Sequence, residues 1–200
     1  LTLIIPAKNE KESLPLVLQE LESKNFNIHV ILEKSDEKTI NAISNLNCKI
    51  IFQTNKGYGD AIIQGIQSVK TKFFCIFNAD GSFDPKEINL MIDKLNHKNL
   101  DLIFGSRYEK NSGSDDDTFV TKIGNFIFTL LGNLFFRLNI TDILYTFVLG
   151  KTEEVQKINL VRSDFTFCVE LPIKAKRAKL NLGTINCYER KRIAGVKKVN

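Results

Sequence analysis

Tryptophan is absent from these 200 residues, there is one methionine, and the only histidines are His29 and His97. His29 lies inside a strand-like run and His97 in a polar helix end, which argues against histidine catalysis or a histidine-held zinc. Four cysteines, Cys48, Cys75, Cys168 and Cys187, form no CxxC pair and sit in apolar stretches. They read as reduced core residues rather than a disulfide framework or a zinc site. No apolar run reaches the roughly 20 residues a bilayer needs, and no signal peptide opens the chain. It begins on a strand without an initiator Met, as a trimmed or partial chain does. Internal repeats and low-complexity linkers are missing too. No GxxxxGK[ST] occurs, and at Gly57-Tyr58-Gly59 the third glycine of the dinucleotide fingerprint is replaced by Ile62, so both phosphate-loop readings fail.

What is present describes a folded α/β domain. The hydrophobic share is 43%, and the formal net charge of +5 is mild. The distribution of that charge is uneven. Lys174, Lys176, Arg177, Lys179, Arg190, Lys191, Arg192, Lys197 and Lys198 crowd the end of the chain with only Glu189 among them. Such a run suits phosphate, nucleic acid or an anionic membrane, and its plain alternative is a solvated helix face. Leu1–Pro6, Ile28–Glu33, Cys48–Gln53, Lys72–Asn78 and Leu100–Ser106 read as strands. Helices are expected near Glu12–Ser23, at Gly59–Val69 and at Pro85–Leu95, the last with Asp84 as cap, Pro85 at its first position and Glu87 closing a box. Alternation of this kind implies βαβ units and a mostly parallel sheet, whose ligands bind beyond the carboxyl ends of its strands.

After Ser106 the pattern changes. Tyr108–Thr118 reads as a polar loop with Asp115, Asp116 and Asp117, and Ile123–Phe136 as an uncharged helix. Ile127, Leu130, Leu131 and Leu134 share one face of that helix, and Phe126, Phe128, Phe135 and Phe136 add to its apolar bulk. Two readings stand open, a core helix or a helix lying at a membrane interface.

The strand ends carry the chemistry. The first leads to Pro6-Ala7-Lys8-Asn9-Glu10, the second to Glu33-Lys34-Ser35-Asp36, the third to Asn55-Lys56-Gly57-Tyr58-Gly59 and the fourth to Asn78-Ala79-Asp80-Gly81-Ser82. A carboxylate on a glycine turn at the ligand edge, as at Asp80, can hold Mg²⁺ or Mn²⁺, hard cations that complete their shell with substrate phosphates and water. Such an ion neutralises a leaving diphosphate.

Those pieces, with Gly65, Gly105-Ser106-Arg107-Tyr108, Thr141-Asp142 and the tail from Arg192 to Lys198, occur in an order that resembles the family-2 glycosyltransferases of GT-A fold. The similarity is greatest to the dolichol-phosphate mannose synthase and polyprenyl-phosphate glycosyltransferase branch, and it spans nearly the whole chain. It implies one domain over residues 1–200, a nucleotide-sugar-binding half over 1–106 and an acceptor-side half over 107–200. It implies that Pro6, Ala7, Glu10, Glu33, Lys56, Gly59, Asn78, Ala79 and Asp80 bind the nucleotide sugar, with Asp80 the metal ligand. Arg107, Arg192 and Lys198 would meet the acceptor phosphate, and Asp80, Arg107 and Arg192 would carry catalysis. Three positions depart from the family pattern: Asn78 replaces the first Asp of the DxD motif, Lys34 replaces an acid after the second strand, and Thr184 stands where an acid is expected near the last strand.

The reaction implied is one in-line displacement that inverts the anomeric carbon and moves a hexose from a GDP- or UDP-linked donor. A hydroxyl acceptor needs a positioned base, whereas a phosphate monoester, with a second pKa of about 6, is already ionised near neutrality. The chain offers cations and no obvious base, so a polyprenyl or dolichyl phosphate fits better, with the protein cytoplasmic and peripheral on a membrane. The processive branch carries QxxRW, which a chain without tryptophan cannot. A weakened or inactive nucleotide-sugar-binding homologue and a transferase acting on a soluble hydroxyl are the alternatives. A nucleic-acid module rests on the basic tail alone and lacks the aromatic-plus-basic motifs of such modules.

Overall fold

The computed structural model describes residues 1–195. The first half runs β1 (Thr2–Pro6), α1 (Leu14–Glu22), β2 (Asn27–Leu32), α2 (Glu37–Ile43), β3 (Lys49–Phe52), α3 (Tyr58–Ser68), β4 (Phe73–Ile76), α4 (Lys86–His97) and β5 (Leu102–Ser106). The second continues β6 (Gly113–Ser114), α5 (Phe119–Phe136), β7 (Val148–Lys151), α6 (Thr152–Gln156), α7 (Phe167–Arg177), β8 (Leu182–Asn186) and β9 (Tyr188–Glu189).

Seven strands form one sheet in the order β3-β2-β1-β4-β7-β5-β8, and β6 pairs with β9 apart from it. Strands β3, β2, β1 and β4 are parallel, as the continuous apolar runs imply for strands covered on both faces. The exception is β7, antiparallel to both β4 and β5. Two antiparallel pairings cancel, so β5 and its parallel partner β8 point the same way as β4. Six carboxyl ends therefore open on one edge.

One apolar cluster packs Leu14, Val17, Leu18 and Leu21 of α1 and Ile88, Met91 and Leu95 of α4 against one face of the sheet. The other packs Ala61, Ile62 and Ile66 of α3 with Phe167, Leu171 and Ala175 of α7 against the opposite face. The α1 apolar spacing is the one expected. At α4, Asp84 caps through its side chain, which accepts from Lys86 N at 2.9 Å. Its expected box does not form, because Glu87 accepts instead from Tyr188 N at 2.9 Å. The four cysteines are unpaired, and burial pushes the Cys168 thiol up to about 12. His29 shares a 2.7 Å hydrogen bond with Ser68 and is held below its usual pKa by burial and by Lys49.

Helix α5 corrects the core reading. It begins four residues earlier than expected, behind a Thr118–Thr121 capping box, and its apolar face points outward. Phe119 is 78%, Leu134 67% and Phe135 70% exposed. Its buried residues are Asn125, Thr129 and Gly132. Asn125 accepts from Leu144 N at 3.0 Å and Thr129 from Ile143 N at 3.2 Å. Asn133 donates to Ile140 O at 2.8 Å and accepts from its N–H at 3.2 Å. The polar stripe thus satisfies the backbone of the following loop, since a buried amide without a partner costs about 1–3 kcal/mol.

Candidate active site

The β1 and β2 ends meet as the sheet rule requires. Ala7, Lys8, Asn9, Glu33, Ser35 and Asp36 line a small cleft of about 80 Å³. Lys8 Nζ lies 3.2 Å from Glu33 Oε1, and Asp36 accepts from Asn9 N at 2.6 Å, which fixes Asn9 at a left-handed φ of 53°. Pro6 ends β1 and Ala7 is buried beside it, donating its N–H to Ile31 O. Glu10 is brought to the same loop but turns away from the cleft. Its buried carboxylate accepts from Ser13 and from Arg192, whose NH1 is 2.9 Å from Oε2.

Asp80 follows β4 on a turn closed by Gly81 at φ 81°. Its Oδ1 accepts from Ser82 N at 3.0 Å, and its Oδ2 lies 3.1 Å from Arg192 NH2. Ala79 is buried beneath it. Asn78 stays inside the turn, donating to Ser82 Oγ and accepting from Phe83 N at 3.4 Å. No group of three His, Cys, Asp or Glu side chains suited to a metal occurs among the described residues. A single carboxylate still fits a hard divalent cation that draws the rest of its shell from phosphate and water, provided Arg192 yields Oδ2.

Gly59 packs tightly at the start of α3. A Cβ there would come within 2.2 Å of Arg162 O and 2.7 Å of Asp164 O, so the missing side chain makes room for the chain's own backbone. The same loop binds Asp60 N through Ser163 O. Lys56, in the turn before, is exposed.

Arg107 follows β5 and is already well held. Its Nε and NH2 form a fork on Asp142 at 2.8 and 3.1 Å, and NH1 reaches Glu189 at 3.1 Å. Burial works to lower its pKa, but the Asp142 hydrogen bonds and the Asp142 and Glu189 charges raise it. Its guanidinium lies 5.3 Å over the Tyr108 ring and 4.6 Å over Tyr145. Tyr108 also lines a larger groove of about 320 Å³ beside α5, with Lys122, Phe126, Leu130, Ile140 and Thr141.

The basic run is less free than its sequence implies. Lys174 pairs with Glu170 at 2.7 Å, Arg190 with Glu20 at 2.8 Å, and Arg192 with Glu10 and Asp80. Lys198 lies outside the described residues. Glu189 and Glu109 were not singled out by sequence reasoning. Glu109 Oε1 accepts from Thr184 at 2.7 Å and from Thr141 at 2.9 Å, so a carboxylate from the β5 loop reaches the position where an acid was expected on β8. The Glu109 match is across 75 residues, and no local spacing signals it.

Comparison with known proteins places the chain in a family and a fold. The model of "Glycosyl transferase family 2" matches residues 2–158. An uncharacterized glycosyltransferase of Mycobacterium tuberculosis is 28% identical over 53% of this chain, which spans about half (48%) of that relative. A UDP-N-acetylglucosamine–dolichyl-phosphate N-acetylglucosaminyltransferase of Methanococcus voltae is 27% identical over 92% of this chain and 82% of its own length. Among solved structures, glucosyl-3-phosphoglycerate synthase of M. tuberculosis with Mn²⁺, UDP and glucosyl-3-phosphoglycerate superposes with TM-score 0.77 at 12% identity, over 98% of this chain and 72% of that one. Mannosyl-3-phosphoglycerate synthase of Rubrobacter xylanophilus gives 0.75 at 15%, over 98% and 67%. At these identities the structures share the GT-A fold.

Proposed function

The chain is a member of glycosyl transferase family 2, and from that premise we propose that it inverts a hexose from a GDP- or UDP-linked donor onto a polyprenyl or dolichyl phosphate at a membrane surface. The observation that carries the acceptor half is the groove beside α5. Tyr108 joins it to Arg107, so a cation adjoins an apolar groove under an outward-facing apolar helix. A lipid phosphate has that polarity, one anionic end and one long apolar end. The similarity to the Methanococcus dolichyl-phosphate transferase supports the same choice.

In this reading residues 1–106 hold the donor and residues 107–200 the acceptor. Pro6, Ala7 and Glu33 line the nucleoside cleft, with Asn78, Ala79 and Asp80 at its diphosphate end and Lys56 on its rim. Asp80 would hold Mg²⁺ or Mn²⁺, and the bound ion would supply charge to stabilise the leaving diphosphate. Arg107, Arg192 and Lys198 are the cations for the acceptor phosphate, and Arg192, 3.1 Å from Asp80, lies beside the donor diphosphate as well. Arg107 can offer NH1 to a phosphate in exchange for Glu189 while Asp142 keeps its fork in place. The phosphate oxygen arrives ionised, so no general base is assigned.

α5 is the surface element in this account. Its 18 residues, with mean hydropathy 1.4, have the length and composition of a membrane helix, and 17% of them are buried. Its inner stripe is hydrogen-bonded to residues 140–144, which favours lying in the interface over crossing it. A second reading, a soluble phosphorylated acceptor, draws on the phosphoglycerate named for the neighbouring synthases.

A thermal-shift panel of UDP- and GDP-sugars tests the donor half. Stabilisation of about 2.7 kcal/mol at 100 times Kd is expected with Mn²⁺ and much less without it. A protein indifferent to every nucleotide sugar would contradict the donor half, whereas one that binds a nucleotide sugar with metal and neither transfers nor hydrolyses it is the inactive homologue that Asn78 and Lys34 leave open.

A further inference from the structure

Arg192 sits on the atoms a divalent ion would use. Its NH1 and NH2 fork onto Glu10 at 2.9 and 3.3 Å, and NH2 lies 3.1 Å from Asp80 Oδ2. With Oδ1 already accepting from Ser82 N, both Asp80 oxygens are engaged. The three side chains are shielded, 16% exposed for Arg192, 7% for Glu10 and 22% for Asp80.

The segment that delivers Arg192 is strapped to the same turn. Arg190 N donates to Ser82 O at 2.8 Å, and its guanidinium grips Glu20 at 2.8 and 3.0 Å and Phe83 O at 2.6 Å. Ile193 N donates to Asp80 O at 2.9 Å, and the Ile193 side chain covers Gly81, where a Cβ would come within 2.1 Å of its Cδ1. Arg190 therefore anchors the strap to α1 and the Asp80 turn, and Arg192 closes it over Asp80.

A guanidinium and a divalent ion cannot hold Asp80 Oδ2 together without strong like-charge repulsion at close range. A nucleoside diphosphate changes the balance, because it offers the guanidinium a bidentate anionic partner in place of the carboxylates. We propose that Arg192 is a latch: it keeps Asp80 and Glu10 from metal alone and releases Asp80 when a nucleoside diphosphate arrives with the metal. This rests on the reading of Asp80 as the metal ligand. It makes metal and nucleotide binding reciprocally coupled, with Arg192 a carrier of that coupling.

The test is Mn²⁺ titration followed by electron paramagnetic resonance, without nucleotide and with UDP or GDP. Arg192→Met is expected to bind Mn²⁺ alone about tenfold tighter than wild type, and the Mn²⁺–nucleotide pair about tenfold weaker. A residue that only binds phosphate, or only supports the fold, would not produce that opposite pair. Arg192→Lys keeps the charge and loses the fork, so it should fall between wild type and Arg192→Met, and adding Asp80→Asn to Arg192→Met should remove the gain. Should Arg192→Met fail to fold, Arg192→Gln keeps a hydrogen bond to Glu10, drops the charge and carries the same expectation. No gain for Mn²⁺ alone in a folded neutral variant overturns the latch, and so does a wild type and variant that bind no Mn²⁺ at all. A gain for metal alone without any nucleotide binding supports the latch on Asp80 and strikes the nucleotide-sugar reading.

Discussion

Asp80 is the residue on which the metal reading rests. Asparagine there keeps an acceptor for Ser82 N and removes the charge, so Asp80→Asn should fold normally and lose the Mn²⁺-dependent stabilisation by nucleotide. Retained metal dependence in a calorimetric titration would mean that Asp80 only shapes its turn. The neighbouring Asn78→Asp change keeps the acceptor for Phe83 N, and the Ser82 hydroxyl can reverse to donate. Unfolding free energy should move by about 1 kcal/mol or less, while Mn²⁺ affinity in the presence of nucleotide rises. Unchanged affinity would place the position 78 carboxylate wholly inside the turn. Gly59→Ala should cost more than either, about 1–3 kcal/mol, because the new methyl meets backbone rather than a movable side chain. Sequence made Asp80 and Arg192 legible as separate sites. It could not show that they touch, because the Glu10–Arg192 contact spans 182 residues and has no local pattern. Glu109 was illegible for the same reason: it lies in the loop after β5, and its partner Thr184 is on β8, 75 residues away.

Among elements, α5 shows how far periodicity goes. The helical spacing of its apolar residues was plain, but a period does not say which face turns inward. The informative stripe was Asn125, Thr129 and Asn133, four residues apart, whose side chains bind the backbone at residues 140, 143 and 144. Phe128→Ser and Phe135→Ser should therefore leave the unfolding free energy within about 0.5 kcal/mol and weaken sedimentation with phosphatidylglycerol vesicles. Thr129→Val should do the reverse, losing about 1–3 kcal/mol as Ile143 N is stranded, with vesicle binding unchanged. Chemical denaturation alongside sedimentation separates the two, and a core-like loss in the Phe135 variant would contradict the outward face. β7 escaped notice for a different reason. It is four residues long and contains Gly150, where a Cβ would come within 2.5 Å of the Leu102 side chain and 2.9 Å of Phe74. A glycine required for close packing erases the β-rich signal that marks a strand. In α7, Pro172 and the run of Lys174, Lys176 and Arg177 hid the buried Phe167, Leu171 and Ala175 face.

At the scale of the molecule, the sheet was legible where burial on both faces forces continuous apolar sequence, at β1, β2, β4 and β5. Its far side depended on β7 reversing direction between β4 and β5, which returns β5 and β8 to the orientation of β1 to β4. That reversal puts the carboxyl end of β5, and with it Arg107 and Glu109, on the same edge of the sheet as Asp80. The basic tail reads differently once folded, since Lys174, Arg190 and Arg192 have carboxylate partners. An anion bound by these residues would have to displace those carboxylates. The most direct measurement offers both acceptors to the protein at once. Labelled UDP- and GDP-sugars are incubated with Mn²⁺, vesicles carrying a polyprenyl phosphate, and free 3-phosphoglycerate, and the label is followed between organic and aqueous phases. The account predicts that label enters the organic phase, only with Mn²⁺ or Mg²⁺ and not with Asp80→Asn. Label accumulating solely on phosphoglycerate, with none on the lipid, would contradict it.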